Sequence, residues 1–221
     1  MPYSREQPSE RYRALVEMYR DMHLHGERFL GIAAEKTFDG RSLQKEVVRI
    51  KRIIEQTGAA TILDYGSGKG RQYDPRRIVV KGQGEWDSVM DYWGVDEVTC
   101  FDPGFAPYSS LPTTTFDGVV STDVLEHCPE EDIEWIVPEI FSFAERFVYL
   151  AVACYPASKR LPSGENAHCT IRPPEWWQAV FDRAAAARPG VIWEAWLEAF
   201  PEGATECEEI CLRGNSSTIA G

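Results

Sequence analysis

Short apolar segments that are typical of β-strands alternate along this chain with segments of helical periodicity. The predicted strands span 60–65, 97–102, 117–121 and 147–153, the helices between and after them span 129–144 and 173–187, and a terminal hairpin is predicted near 190–197 and 206–212. The segment 147–153 is almost entirely apolar, as expected of a strand buried on both faces of a sheet. This alternation predicts an α/β fold with a doubly wound, mostly parallel sheet.

Two further helices are predicted before the first strand. Ser9 can cap the first helix, and Ser42 can cap a second helix that ends at Gly58. Because both helices precede the sheet, residues 1–58 are predicted to form an N-terminal helical extension or lid that covers the carboxyl edge or helps to form the substrate pocket. Residues 59–221 are predicted to form the α/β domain itself.

The composition limits the partners of the chain. Its 221 residues are 43% hydrophobic and carry a formal net charge of −12. A surface this negative repels phosphate backbones, which argues against nucleic acid as a partner. The chain has no basic run after the first Met and no apolar stretch long enough to span a bilayer, so we expect a cytoplasmic protein without membrane contact.

The cysteines and the first two histidines do not predict a metal site. None of the six cysteines forms a Cys-x-x-Cys pair, and free core thiols are the simpler interpretation. His23 and His25 would point to different faces of a helix, and no acidic or cysteine cluster stands near them. We therefore expect no metal cofactor.

A glycine-rich segment, DYGSGKG at 64–70, directly follows the first predicted strand. Glycines permit positive φ angles and let a backbone approach a ligand closely. A Walker phosphate loop is excluded, because it requires Gly six residues before the lysine and Ser or Thr after it, where this chain has Leu63 and Gly70. Arg71 stands where a dinucleotide fingerprint needs its third small residue. A simple turn between strand and loop is the other interpretation of these glycines.

The acid-x-Gly-x-Gly-x-Gly pattern resembles the cofactor loop of the Rossmann-like class I S-adenosylmethionine-dependent methyltransferases. The resemblance implies that the methionine part of S-adenosylmethionine contacts Asp64, Gly66, Gly68 and Gly70. The next strand ends at Asp102 and Pro103, and an acid there resembles the acceptor of the ribose hydroxyls in that family. An ionised carboxylate can accept both vicinal hydroxyl protons of a ribose, although a turn Asp is the alternative. Pro103 or Phe105 is a hypothetical stacking partner for adenine.

The segment FDGVVSTDVLEH at 116–127 is similar to the fourth strand of the same family and the turn after it. By this resemblance, the cofactor is lined by Thr122, Asp123 and Val124, while Glu126 and His127 face the reacting end. The motifs occur in the family's order over residues 60–153, and a looser resemblance continues to about residue 180. Together they are more specific than any one of them alone.

Two spacings depart from the family pattern. Asp64 and Asp102 lie 38 residues apart, which indicates an insertion around Trp86. Only 14 residues separate Asp102 from Phe116, which leaves little room for a third strand and its helix. We therefore expect a seven-strand type of sheet with an abbreviated third strand, and no match for the family's adenine-binding acid.

The acceptor side is predicted from the histidines and from the polar loop 155–174. His127 and His168 are the candidate catalytic residues, and an acceptor is expected to contact Glu126, Tyr155, Asn166 and Arg172. A capping role for His127 and an exposed loop position for His168 are the alternatives. The loop is polar and bounded by glycine and proline, which suits a mobile lid.

These patterns predict a methyltransferase that passes a methyl group from S-adenosylmethionine to a small or medium-sized acceptor. Since a fold does not prove chemistry, a non-catalytic S-adenosylmethionine-binding or scaffolding protein is the alternative. A dinucleotide-dependent oxidoreductase and a nucleic-acid methyltransferase are weaker alternatives, the first because of Arg71 and the second because of the acidic charge. The sequence indicates neither the acceptor atom nor the oligomeric state.

Overall fold

Five α-helices and eight β-strands make up the described chain, residues 2–201 and 203–215, in a computed structural model. The helices are α1 (Glu10–His25), α2 (Val47–Thr57), α3 (Val89–Trp93), α4 (Glu130–Ser142) and α5 (Pro174–Ala186). The strands are β1 (Thr61–Tyr65), β2 (Ile78–Val80), β3 (Gly84–Trp86), β4 (Glu97–Phe101), β5 (Phe116–Thr122), β6 (Ala144–Ala153), β7 (Ile192–Ala199) and β8 (Glu208–Gly214). Within these residues, no helix is long and apolar enough to cross a membrane.

Six of the strands form one sheet in the order β4-β1-β5-β6-β7-β8. All neighbours in it are parallel except β8, which runs antiparallel to β7. From β1 the chain moves to β4 at the edge and then returns to β5 on the other side of β1. The strand order therefore reverses at β1, and a crevice opens there at the carboxyl ends, where ligands bind in sheets of this type.

The predicted α/β class and mostly parallel sheet are confirmed, and so is the terminal hairpin of β7 and β8. The expected third strand is wrong, because the main sheet has six strands and β4 is its edge. Between β4 and β5 the described chain forms a 3-10 turn at Ala106–Tyr108 instead. Pro103, Pro107 and Pro112 lie in this connection, and proline cannot donate a hydrogen bond to a strand partner.

The second predicted helix begins later than expected. Residues Arg41–Lys45 form a 3-10 turn, and Ser42 does not cap a helix, since α2 begins at Val47. Leu43 is nevertheless buried in the same apolar cluster as Val47 and Ile50, so burial of the apolar stripe is preserved although the helix is shorter. The predicted insertion after β1 contains the separate β2–β3 hairpin and α3.

Helices cover both faces of the sheet. Alternate residues of β1 point to opposite sides, with Ile62 in the cluster under α2 and α3 and Leu63 in the cluster under α4 and α5. Both side chains are fully buried, which stabilises the fold by about 1.5–3 kcal/mol each. Helix α2 belongs to residues 1–58 but packs in the same core as the sheet. The predicted boundary at residue 58 between a helical extension and the α/β domain stays a prediction.

Helix α1 lies outside both core layers, over the cavity at the carboxyl ends of the strands. Its residues Leu15 and Met22 pack on Leu161 and Ala167, which belong to the loop between β6 and α5. The helix thereby forms a roof rather than a layer of the sandwich. Tyr12 of α1 also packs against the apolar cluster that α4 and α5 share with the sheet.

The start of α1 is fixed by one buried carboxylate on α4. Ser9 caps α1 by accepting a hydrogen bond from the Tyr12 N–H, at 2.9 Å. The Ser9 N–H in turn donates to Asp132 Oδ1 at 3.0 Å, its hydroxyl donates to Oδ2, and the Trp135 indole donates to Oδ1 at 2.7 Å. Asp132 and Ser9 are both buried, so the two donors of Ser9 have no access to water as a substitute acceptor.

We predict that Asp132→Ala lowers the free energy of unfolding by about 2–4 kcal/mol, because it leaves several buried donors without an acceptor. Urea denaturation followed by circular dichroism measures the change. Asp182→Ala, which removes an exposed carboxylate from α5, is the matched control and should change stability little. Equal stability of the two variants would contradict the role given to Asp132.

Candidate functional site

A cavity of about 560 Å³ lies under α1 at the carboxyl ends of β1, β4 and β5. This volume is within the range of about 300–1,000 Å³ that small-molecule sites have. The cavity brings together most of the residues that the sequence predicts for the site: Asp64, Gly66, Gly68, Asp102, Pro103, Thr122, Asp123, Val124, His127, Tyr155 and His168. Four others, Gly70, Glu126, Asn166 and Arg172, do not line it.

The glycine segment has a backbone that only glycine adopts readily. Gly66 and Gly68 have φ angles of +88° and +59°. A Cβ atom on Gly66 would lie 2.3 Å from Val124 Cγ2, and one on Gly68 would lie 2.5 Å from the Phe38 carbonyl oxygen. Both positions therefore require glycine for packing as well as for conformation, and the loop is held between the end of β5 and the chain that follows α1.

The N–H groups of this loop are already used inside the protein. Residues Gly66 and Ser67 donate to Phe101 O, Gly68 to Asp102 Oδ2, Lys69 to Phe38 O, and Gly70 to Ser67 O. Moreover, a 3-10 turn at Arg71–Tyr73 follows the loop, and the next described α-helix begins only at Val89. The loop thus offers a phosphate neither free N–H groups nor a helix N-terminus, in contrast to a dinucleotide-binding loop.

Two carboxylates lie at the ends of the neighbouring strands β1 and β4. Asp64 accepts hydrogen bonds from the Gln72 amide and the Tyr73 hydroxyl, each at 2.8 Å. Asp102 accepts from the Gly68 N–H at 2.9 Å and from the Gly104 N–H at 2.8 Å, so it holds both the glycine loop and its own turn. Burial raises the pKa of Asp64 and of Asp102 to about 6, against the opposing effect of these hydrogen bonds.

The end of β5 contributes a strained residue. Asp123 has a φ angle of +54°, which is uncommon for any residue other than glycine. Such a conformation costs about 1–3 kcal/mol and is found preferentially where function requires it. Burial raises the pKa of Asp123, while the charge of Lys45 opposes that rise. Asp123 and its neighbours Thr122 and Val124 all line the cavity.

Both candidate catalytic histidines are held by backbone carbonyls. His127 Nδ1 lies 2.9 Å from Ala167 O, and His168 Nδ1 lies 2.6 Å from Tyr155 O. Since a carbonyl only accepts, we assign the proton of each ring to Nδ1, which leaves a lone pair on each Nε2. The rings meet edge to face with centroids 4.7 Å apart. Burial lowers the pKa of His127 to about 3 and also lowers that of His168, so both rings are neutral near pH 7.

Lys69 connects the glycine loop to the roof. Its ammonium donates to His23 Nδ1 at 2.9 Å, to His23 O at 3.2 Å and to Thr37 O at 3.1 Å. Burial, with the charge of Lys69, lowers the pKa of His23 to about 3. His23 also packs on Phe105, with ring centroids 4.9 Å apart. Of the two residues considered as stacking partners for adenine, Pro103 lines the cavity and Phe105 does not.

Three residues predicted to contact the acceptor lie away from the cavity. Glu126 is completely buried, its Oε1 accepts from the Ala153 N–H at 2.9 Å, and burial raises its pKa well above the ordinary value. The Asn166 amide bonds to both the N–H and the carbonyl of Ala157 and so shapes the loop. Arg172 forms a surface ion pair with Glu130. Of the residues predicted to act on or contact the methyl acceptor, only His127, His168 and Tyr155 therefore line the cavity.

Several residues that line or brace the cavity stand outside the motifs recognised in the sequence. Tyr19 lies on α1, and its hydroxyl donates to Ala167 O at 2.9 Å beside His127. Lys45 and Lys159 line the cavity without belonging to any motif. A polar tip on an apolar helix stripe, as in Tyr19, is the one signal that could have been noticed.

Comparison of the chain with protein-family models, with curated proteins and with solved structures finds no match. In the described part of the chain, no group of three or more His, Cys, Asp or Glu side chains is placed to hold a metal ion.

We predict that the buried neutral ring of His127 makes the protein less stable in acid. Its pKa in the folded state is about 3, below the ordinary 6.5, so the unfolded chain binds the proton more tightly. The contribution of the neutral His127 ring to stability is therefore fully present above pH 6.5, and it decreases by about 1.4 kcal/mol per pH unit as the pH falls from there towards 3.

The difference between wild type and His127→Asn isolates this effect, because the other titrating groups are common to both proteins. Urea unfolding at several pH values between 7.5 and 4.5 should show the wild type losing its advantage over the variant. His25→Gln, at an exposed position on α1, is the control. A constant difference between wild type and His127→Asn would show that the ring is not held neutral by burial.

Proposed function

We propose that this protein binds S-adenosylmethionine in the cavity and transfers its methyl group to a small acceptor. The observation that carries the proposal is the pair Asp64 and Asp102 at the ends of adjacent parallel strands, joined by a glycine loop without free N–H groups. Such a site suits a ligand with hydroxyl groups and positive charge rather than a phosphate. S-adenosylmethionine supplies an electrophilic methyl group on a positively charged sulfonium when bound.

The charges along the cavity support the same choice of ligand. Four aspartates line it, at positions 39, 64, 102 and 123. Carboxylates attract a sulfonium and an ammonium but repel the pyrophosphate of a dinucleotide. Ser67 Oγ and Gln72 Oε1 also belong to lining residues and are buried without a hydrogen-bond partner in the described structure. A polar ligand group that reached them would offset the cost of leaving them unpaired.

Each wall of the cavity has a different task in this proposal. Asp102 would accept the ribose hydroxyls, and the loop at Gly66 and Gly68 would follow the methionine part, as the family resemblance implies. His168 lines the cavity, and its Nε2, which carries the lone pair when Nδ1 is protonated, can accept the proton of a hydroxyl or amine acceptor. Most of the catalysis would come from alignment of donor and acceptor, since methyl transfer is an in-line displacement.

We predict that isothermal titration calorimetry detects binding of S-adenosylmethionine and S-adenosylhomocysteine, and that Asp102→Asn raises both Kd values about ten- to hundred-fold. The loss of a charge-assisted hydrogen bond accounts for that range. Because burial sets the pKa of Asp102 near 6, affinity should also fall as the pH drops through about 6 and the carboxylate becomes protonated.

The matched control is Asp74→Asn, which removes an exposed carboxylate outside the cavity and should leave both Kd values unchanged. Circular dichroism and thermal unfolding establish that the Asp102 variant is folded. Absence of binding by either ligand to the wild-type protein would refute the proposal, and binding of NAD in their place would favour an oxidoreductase.

We further predict that His168→Ala leaves the Kd for S-adenosylmethionine nearly unchanged and lowers turnover about 10²-fold or more if His168 accepts a proton. The test measures transfer of label from methyl-labelled S-adenosylmethionine to a metabolite extract, on the same preparation used for calorimetry. Since burial lowers the pKa of His168, its step in the pH–rate profile should lie below 6.5 and disappear in the variant. Cofactor binding without any label transfer by wild type would support the non-catalytic alternative.

A further inference from the structure

The wall of the cavity formed by the loop after β6 contains Lys159, which has no ionic partner among the described residues. Three cationic side chains line the cavity, namely Arg41, Lys45 and Lys159. Arg41 pairs with Asp39, and Lys45 pairs with Glu198. Within residues 2–201 and 203–215, no carboxylate lies within 4.0 Å of the Lys159 ammonium, which instead sits 5.1 Å from the centre of the Phe38 ring.

Lys159 shares this wall with the two neutral imidazoles. All three residues line the same cavity, and Ala167 links two of them, because its N–H donates to the Lys159 carbonyl at 3.2 Å and its own carbonyl lies 2.9 Å from His127 Nδ1. The Nδ1 atoms of both rings are bonded to backbone carbonyls, so each imidazole can offer a ligand only its Nε2 lone pair, beside the Lys159 ammonium. An ammonium attracts an anion, whereas a lone pair requires a hydrogen-bond donor.

We propose that the methyl acceptor is a small hydroxy- or amino-carboxylic acid whose carboxylate pairs with Lys159 and whose hydroxyl or amine donates to the imidazole of His127 or His168. That the bound acid is methylated rests on the proposed function, whereas the binding site for the acid is inferred from the geometry of this wall alone. It assigns a substrate class to the part of the cavity that the cofactor residues do not occupy.

A carboxylate fits this wall better than a phosphate ester. A phosphate dianion is normally held by several N–H donors, by an Arg fork or by a helix N-terminus. Among the described lining residues, only one cation, Lys159, has no carboxylate partner. The four lining aspartates repel a second negative charge on the ligand. A neutral alcohol, in turn, would leave Lys159 without a counter-charge inside the cavity.

The test measures binding rather than turnover, with defined probes. We would titrate 4-hydroxybenzoate, salicylate, anthranilate and 3-hydroxybutyrate into the full chain, each beside its neutral methyl ester, with and without saturating S-adenosylhomocysteine. At least one acid should bind about tenfold more tightly than its ester. Lys159→Met should abolish that preference, and Lys159→Arg should retain it. Lys81→Met, at an exposed position outside the cavity, is the matched control and should behave as wild type.

A second readout examines the imidazoles. With ¹⁵N-labelled histidine, a bound hydroxy acid should shift the Nε2 resonance of His127 or His168, assigned through single His variants, more than benzoate, which has no donor. The proposal would be overturned if none of the acids binds, or if the esters bind as well as their acids. It would also be overturned if the acid preference survives in Lys159→Met, or if benzoate shifts the resonance as much as the hydroxy acids do. Failure of S-adenosylmethionine to bind while the acids bind through Lys159 would instead refute the methyl donor alone.

Discussion

The position of β1 between β4 and β5 is the constraint on which the rest of this structure depends. Because all three strands run parallel, their carboxyl ends open at one edge of the sheet, and the reversal of strand order at β1 leaves a crevice there. The hydrogen bond from the Gly68 N–H to Asp102 closes the base of this crevice by joining the loop after β1 to the turn after β4. The cavity walls, the roof and the buried titratable groups are all built around that junction.

Burial of polar groups gives the cavity its chemical character. Asp64 and Asp102 are taken out of water, which raises their pKa values to about 6, whereas burial keeps the rings of His23 and His127 neutral by lowering theirs to about 3. The two effects have opposite signs on stability between about pH 4 and 6, because buried acids favour protonation on folding and buried imidazoles disfavour it. The resulting site is preorganised, with acceptors fixed before any ligand arrives.

The roof is held near both of its ends, by helix α4 at one end and by the glycine loop after β1 at the other. At the start of α1, Ser9 bonds to the buried Asp132, and near its end Lys69 bonds to His23. These are contacts between segments more than forty residues apart, and no local pattern marks them. The same holds for Lys159, whose significance comes only from its position beside His127 and His168 and from the pairing of the other lining cations with carboxylates.

The sequence by itself determined the α/β class, the apolar strands and the order of the motifs, because strand burial and helix periodicity are local properties of the chain. It also located Asp64, Asp102, Asp123 and the two histidines, since residues at the carboxyl ends of parallel strands must meet at one edge. Only the tertiary structure decided that β4 is an edge strand and that Asn166 and Arg172 support a loop and a surface pair. It also decided that the glycine-loop N–H groups are already bonded, because these outcomes depend on contacts between distant segments whose packing no local pattern encodes.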